Sequence, residues 1–229
     1  LFAGQVEFYK AESIILADSP DKLVNEIGPD HRIVARGLSE VLENARSEVI
    51  FVTPYFVPGS DLVERLKKMS ESAIRVVVLT NSLASTNHIA VHSAYDCYRV
   101  DLLEAGVELY ELRTNAANDE SNNLTLHSKV IVINRRYLFI GSLNVDPRSI
   151  VINAEMGVLI DSKKLAESFL SKESKLIDIS YRVTLTDKGT LEWLGHIHGE
   201  AVLERKEPLT NQWRRFKAWF LKILPESQL

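Results

Sequence analysis

One cysteine, Cys97, stands among the 229 residues. A lone thiol cannot close an intrachain disulfide, so packing and not cross-linking must hold the fold. Ten glycines and seven prolines are too few for a collagen-like chain or a linker, and neither an internal repeat nor a low-complexity tract occurs. No apolar run reaches the ~18 residues that would suggest a membrane span, so any membrane contact is expected to be peripheral. Basic charge is not in excess either: 27 Lys+Arg against 31 Asp+Glu leave a net charge of −4, which argues against nonspecific nucleic-acid binding. The chain starts at Leu1, with no Met and without the charged start, apolar run and small-residue cleavage site of a signal peptide.

What the chain does have is core material. A content of 45% hydrophobic and 25% charged residues is enough to bury a core unaided, and one globular domain over residues 1–229, or two small ones, is expected. Short β-branched runs at Ser13 to Ala17, Val49 to Thr53, Ile74 to Thr80, Val107 to Glu111, Val130 to Ile133, Tyr137 to Ile140 and Met156 to Ile160 predict buried strands. Between them, Ile33 to Ala45, Asp61 to Met69, Ile89 to Ala105 and Lys164 to Leu170 carry helical spacing. The alternation predicts an α/β fold: a mixed, largely parallel β-sheet sandwiched by helices.

From Tyr181 onward the apolar runs shorten and turn signals recur at Asp187-Lys188-Gly189 and His198-Gly199, which predicts a small antiparallel C-terminal appendage, residues 181–229, within the same domain. Thr114 to Asn123, TNAANDESNN, holds nothing that would anchor it in a core and reads as a loop. The stretch Thr210 to Leu224 sets Trp213, Phe216, Trp219, Phe220, Ile223 and Leu224 on one helical face, with Arg214, Arg215, Lys217 and Lys222 around it. Two readings stand for this amphipathic helix: its apolar face docks on the domain, or it lies on an anionic membrane surface.

The chemistry gathers in Leu126 to Gly157, LHSKVIVINRRYLFIGSLNVDPRSIVINAEMG. With strand periodicity His127 and Lys129 point to one side, so an imidazole and an ammonium group project together. An imidazole, with a reference pKa of ~6.5, attacks or protonates at neutral pH, and an ammonium neutralises phosphate oxygens. Gly141-Ser142-Leu143-Asn144 follows, where Ser142 and Asn144 offer donors to a developing oxyanion. Glu155, at a strand start, suits a carboxylate that fixes a histidine tautomer.

His127-Ser128-Lys129, Gly141-Ser142-Leu143-Asn144 and Asn153-Ala154-Glu155 resemble the HxK(x)4D, GSxN and later Glu pattern of the phospholipase D superfamily. The similarity extends to Thr53 to Gly59 (TPYFVPG), Thr80 to Thr86 (TNSLAST), Asp146-Pro147-Arg148-Ser149 and Trp213 to Leu229, which look like the C-terminal half of bacterial cardiolipin synthase-like proteins of the C type. The resemblance implies phosphodiester transfer on phospholipids through a phosphohistidine, with two HxK motifs in one active site. It implies no metal or other cofactor. It assigns His127 as the acid/base partner, Lys129 and Asn144 as phosphate holders, and Glu155 as the group that orients His127, with Ser142 beside them.

Two departures from the pattern matter. The Asp of HxK(x)4D is Asn134 here, and a structural role at the turn before Arg135-Arg136 is expected for it. No second HxK exists, since His31, His88, His92, His196 and His198 are followed two residues on by Ile33, Ala90, Ala94, His198 and Glu200. Half of a two-motif site is therefore expected, with Leu1 marking a cut between two halves. The implied partners are a phospholipid substrate, a membrane surface and an N-terminal half carrying the other HxK motif, or a second copy of this chain, with no nucleic acid. The implied location is peripheral, on the cytoplasmic side of a bacterial inner membrane. Two alternatives stay open: a homodimeric nuclease-like phosphodiesterase and a noncatalytic membrane-binding module.

Smaller features carry blander readings. Asp146 and Arg148 read as a local ion pair, and His92 and Tyr95 as core groups or as lining of the substrate cleft. His196 and His198 share a strand face but have no Cys or carboxylate at metal-ligand spacing.

Overall fold

The computed structural model describes residues 8–23, 31–115, 124–197 and 199–223. Along the chain run β1 (Glu12–Ala17), a 3-10 turn (Pro20–Leu23), α1 (Ile33–Glu43), β2 (Glu48–Val52), α2 (Gly59–Glu71), β3 (Arg75–Asn81), α3 (Ile89–Asp96), α4 (Arg99–Glu104) and β4 (Glu108–Leu112). After these come β5 (Val130–Ile133), β6 (Tyr137–Gly141), α5 (Pro147–Val151), β7 (Met156–Asp161), α6 (Lys163–Asp178), β8 (Ser180–Leu185), β9 (Leu191–Ile197), β10 (Glu200–Glu204) and α7 (Gln212–Leu221).

Strand parity sorts the apolar side chains onto the two faces of one sheet. In β2, Val49 and Phe51 join Val34, Leu38 and Leu42 of α1 and Leu66 of α2, while Ile50 and Val52 join Ala166 of α6 on the other face. Every residue of β2 is buried as a result, which is why its sequence from Val49 onward is a continuous apolar run and not an alternation.

The sheet has ten strands in the order β1-β7-β6-β5-β2-β3-β4-β8-β9-β10. Among the described strands only β2–β3 and β3–β4 pair in parallel; the other neighbours are antiparallel, so the expectation of a largely parallel sheet is overturned. Parallel pairing needs a crossover long enough to return the chain to the same edge, and here α2 and the α3–α4 pair supply it. Elsewhere the connections are too short: three residues join β5 to β6, and the five-residue α5 cannot recross the sheet before β7. The sixteen-residue α6 instead carries the chain over one face to β8 beside β4. The strands after Tyr181 pair antiparallel, and because β8 hydrogen-bonds β4 they continue the same sheet. The helical stretch expected from Ile89 to Ala105 is two helices, broken at Cys97-Tyr98. The loop expected from Thr114 lies, over residues 116–123, outside the described residues.

The β5–β6 turn explains Asn134. Asn134 and Arg135 have φ of 55° and 52°, the central pair of a turn closed by the Arg136 amide on Ile133 O at 3.1 Å, and Asn tolerates that left-handed backbone well. The Asn134 Oδ1 accepts from the Arg46 and Ser47 amides at 2.7 and 3.0 Å, and its Nδ2 donates to Asn44 O at 3.0 Å. It therefore pins the α1–β2 connection to the hairpin. Seven residues separate it from His127 along an extended segment, roughly 23 Å at ~3.3 Å per residue.

Candidate active site

One edge of the sheet collects the chemistry. β5 runs antiparallel to β2 and β6, and β7 antiparallel to β6 and β1. The exits of β1, β2, β3 and β6 and the entries to β5 and β7 therefore fall together. A parallel bridge between Phe56 and Val145 and a 2.6 Å bond from the Val57 amide to Val145 O tie the post-β2 and post-β6 loops.

The segment bearing His127 is clamped just before β5. Asn81, at the end of β3, accepts from the Leu126 amide at 2.9 Å and donates to Leu126 O at 3.0 Å, while Thr125 donates to Ser85 O at 2.9 Å. Leu126 is buried and His127 exposed, so the clamp holds the imidazole at the surface on a fixed backbone. Lys129 is half-buried; its Nζ donates to His127 O at 3.2 Å and its carbonyl accepts from the Gly141 amide at 3.1 Å. Burial lowers the Lys129 pKa, and the nearby charges of Glu155 and Asp146 act against that shift.

Ser142 and Glu155 meet across the end of the β6–β7 ladder. The Ser142 hydroxyl donates to Glu155 Oε2 and accepts from the Met156 amide at 3.1 Å. Glu155 is buried, and Asn153 Nδ2 donates to its other oxygen at 3.3 Å. Its backbone amide donates to Asp18 Oδ2 at 3.2 Å. Asp18 is buried and paired with Lys22 at 2.6 Å; it also caps the Val34 amide, and Lys22 reaches Ser149 O at 3.2 Å. This pair locks β1, α1 and α5 behind Glu155. Its i,i+4 spacing was visible in the sequence, but nothing local marked it as buried.

Asn144 is half-buried, with its Nδ2 3.4 Å from Ser149 Oγ and its Oδ1 buried without a hydrogen-bond partner among the described residues. Asp146 is not spent on Arg148: it caps α5, accepting from the Ser149 amide at 2.7 Å. Burial raises the Asp146 pKa, against the stabilising bond from that amide. Behind Asn144 an apolar cleft of about 320 Å³ opens between α1 and α2, lined by Leu38, Leu42, Phe51, Leu62 and Leu143. On the other flank Tyr55 donates to Asn87 Oδ1 at 2.8 Å, and its ring meets His88 edge-on at 5.4 Å between centroids.

Lys129 thus lies within electrostatic reach of Glu155 and Asp146, Ser142 is bonded to Glu155, and Asn144 sits beside Ser149, whose amide Asp146 holds. His127 shares the edge, but among the described residues the side-chain partners of Glu155 are Ser142 and Asn153.

His92 and Tyr95 lie beneath this edge in a buried polar cluster. Arg99 is its centre, with Nε 2.8 Å from Glu111, NH2 3.1 Å from His92, and NH1 on Asp96 and Glu207. Tyr95 and Trp193 each donate to Glu111 at 2.9 Å. Burial and the adjacent Arg99 push the His92 pKa well below its usual value, so the ring is neutral. His92, Glu111 and Glu207 present ligand atoms within 4.8 Å of one another, yet the guanidinium already occupies the position a cation would take. His196 is exposed, and His198 lies outside the described residues.

Known proteins resemble this chain in sequence and in fold. Cardiolipin synthase C of Escherichia coli strain K12 is 29% identical over 242 residues, covering 100% of this chain and 50% of that protein. Cardiolipin synthase A of Buchnera aphidicola is 29% identical over 173 residues, covering 76% of this chain and 32% of that one. The chain thus spans half or less of the length of these curated relatives. Among solved structures, the phospholipase D family member Nuc of Salmonella typhimurium superposes with a TM-score of 0.57 at 18% identity, over 76% of this chain and 99% of Nuc. Phosphatidylserine synthase of Haemophilus influenzae does so with 0.53 at 14%, over 75% and 39%. At these identities the structures speak for the fold alone. The family model described as "Cardiolipin synthase, PLD-like domain" matches residues 38–176, and the chain belongs to that family.

Proposed function

We propose that this chain supplies one half of a phosphatidyltransferase site that exchanges phosphodiesters on phospholipids, with cardiolipin as the product. The observation that carries this is the convergence of the clamped His127-Ser128-Lys129 segment with Ser142, Asn144 and Glu155 on one sheet edge, in a chain of the cardiolipin synthase family. The chain's span of half a cardiolipin synthase supports a second HxK motif in the other half.

In this reading a histidine of the other half attacks phosphorus, the P–O bond to the leaving alcohol breaks, and His127 gives its proton to that alkoxide. The acceptor alcohol then loses its proton to His127 as its oxygen displaces the phosphohistidine. Lys129 and Asn144 hold the non-bridging oxygens, since both are donors at a partly desolvated site. Ser142 and Asn153 hold the Glu155 carboxylate, which stabilises the imidazolium of His127 across the site. The apolar cleft behind Asn144 suits the acyl-bearing part of such a substrate. The work takes place at the cytoplasmic face of a bacterial inner membrane, with the protein bound peripherally. Among the described residues no helix is long and apolar enough to cross a membrane.

The test is His127→Ala in the protein with both halves present. Loss of phosphatidyl transfer by about 10²–10⁴-fold is expected; wild-type rates would sink the reading. A second reading is a phosphodiesterase formed by two copies. It draws on Nuc, of which nearly the whole chain superposes on this one. A dimer of this chain alone that cleaves DNA would establish it, although the net charge of −4 weighs against a nucleic-acid substrate.

A further inference from the structure

The amphipathic helix α7 does not bury its aromatic face. Ala218 is its buried residue, whereas Trp213, Phe216, Trp219 and Phe220 are 62%, 50%, 63% and 56% exposed, and Ile223 just beyond is 75% exposed. The rings form one continuous patch: Trp213 and Phe216 stack at 5.6 Å, and Phe216 meets Trp219 at 5.9 Å and Phe220 at 6.5 Å. A monomer rarely leaves such a surface in water unless it meets a partner. The reading in which this face docks on the domain is therefore not what the fold does.

Charge narrows the partner. From Pro208 to Ile223 the ionisable residues are Arg214, Arg215, Lys217 and Lys222, all basic, in a chain with a net charge of −4. Lys222 is paired with Asp96 and Arg214 holds backbone carbonyls, while Arg215 and Lys217 have no acidic partner among the described residues and can meet an external anion, Lys217 lying 5.2 Å over the Trp213 ring. Tryptophan and phenylalanine flanked by lysine and arginine match the headgroup boundary of an anionic bilayer, where amphipathic rings and snorkelling cations both find their preferred surroundings.

Position completes the argument. Arg214 Nε donates to Leu83 O at 2.6 Å and its NH2 to Thr86 O at 2.6 Å, which fixes α7 to the loop after β3. The same loop accepts from Thr125 through Ser85 O, two residues before His127, and offers Asn87 to Tyr55. The aromatic patch is thus joined to the candidate site's own rim through one loop, residues 83–87, that hydrogen-bonds both.

We infer that the exposed face of α7 is the membrane contact of this protein, seated on anionic phospholipid headgroups and coupled through Arg214 to the segment that carries His127. The inference deepens the proposed function by naming the surface that presents lipid to that site, and its test does not depend on turnover. Flotation on phosphatidylcholine vesicles with and without phosphatidylglycerol should recover the wild-type chain on the anionic vesicles. Trp213→Ser with Trp219→Ser, both at exposed positions, should weaken that partitioning at least tenfold. Brominated phosphatidylglycerol vesicles provide a second reading, because they should quench Trp213 and Trp219 but not the buried Trp193.

Equal flotation of variant and wild type overturns the inference, as does absence of wild-type binding. It is also overturned if the wild type self-associates without lipid and the double variant is monomeric, since the face would then be a protein interface. Vesicle binding that depends on the tryptophans, in a full enzyme without phosphatidyl transfer, would leave this inference standing and reject the proposed function instead.

Discussion

Ser142 donates its hydroxyl hydrogen to the buried carboxylate of Glu155, thirteen residues further on, across the end of the β6–β7 ladder. The same oxygen accepts from the Met156 amide, so one hydroxyl joins the last rung of the sheet to the carboxylate of the candidate site. Ser142→Ala removes both bonds and leaves Glu155 with Asn153 as its side-chain donor. A loss of about 1–3 kcal/mol of stability is expected from the unsatisfied groups. On the proposed role of Glu155, phosphatidyl transfer should fall tenfold to hundredfold by ~1.4 kcal/mol per decade. Urea midpoints and initial rates on the full enzyme check the two effects, and an unchanged rate with lowered stability would confine Ser142 to a structural role.

Two glycines make that contact possible. Gly141 and Gly157 are directly paired, and the Phe139 ring packs over both. A Cβ at Gly141 would lie 2.7 Å from Phe139 Cζ, and one at Gly157 would collide with Phe139 Cε2 and Cζ. Gly157→Ala should cost about 1–3 kcal/mol by overpacking. Adding Phe139→Leu should return part of that loss, a coupling that a double-mutant cycle of thermal or urea unfolding measures.

Asn134 is a structural pin at the far end of β5. Asn134→Gly keeps the left-handed turn but deletes the bonds to Arg46, Ser47 and Asn44, at an expected cost of about 1–3 kcal/mol. The rate per folded molecule should stay at the wild-type level, as it should for Asn134→Asp. An activity lost in the first or raised many-fold in the second would place this position in the chemistry.

Glu173 of α6 is buried, faces Glu48, and has an Oε1 without a hydrogen-bond partner among the described residues. Burial and then the like charge of Glu48 raise its pKa from 4.5 to about 7. Below pH 4.5 both folded and unfolded chains hold this proton. Between 4.5 and 7 the unfolded chain releases it while the folded chain keeps it, so stability falls as pH rises through that window and levels off above it. Glu173→Gln should abolish the effect, gaining on the order of 3 kcal/mol over wild type at pH 8 and little at pH 4. Urea unfolding of both proteins across that range is the measurement.

Much of the local structure was legible because it is encoded locally. The continuous apolar runs that became β2, β3, β5 and β6, the helical spacing of α1 and α2, and the His-x-Lys and Gly-Ser-x-Asn spacings each depend on residues a few places apart. The break at Cys97-Tyr98 and the cap role of Asp146 escaped the same reading, since the helical period continues through the first and the charge of Arg148 suggested a partner for the second.

By itself, then, the sequence determined the elements and the kind of chemistry this protein carries: which segments bury a face, and which imidazole, ammonium, amide and carboxylate groups are at hand. Only the tertiary structure decided strand direction and order, and with them the company each group keeps. Asn81 clamps Leu126 forty-five residues away, Arg214 grips the loop at Leu83 and Thr86, and the aromatic face of α7 turns outward. Such contacts follow from sheet pairing and loop closure across the whole chain, where the free energy of one long-range arrangement against another has no local mark in the residues that meet.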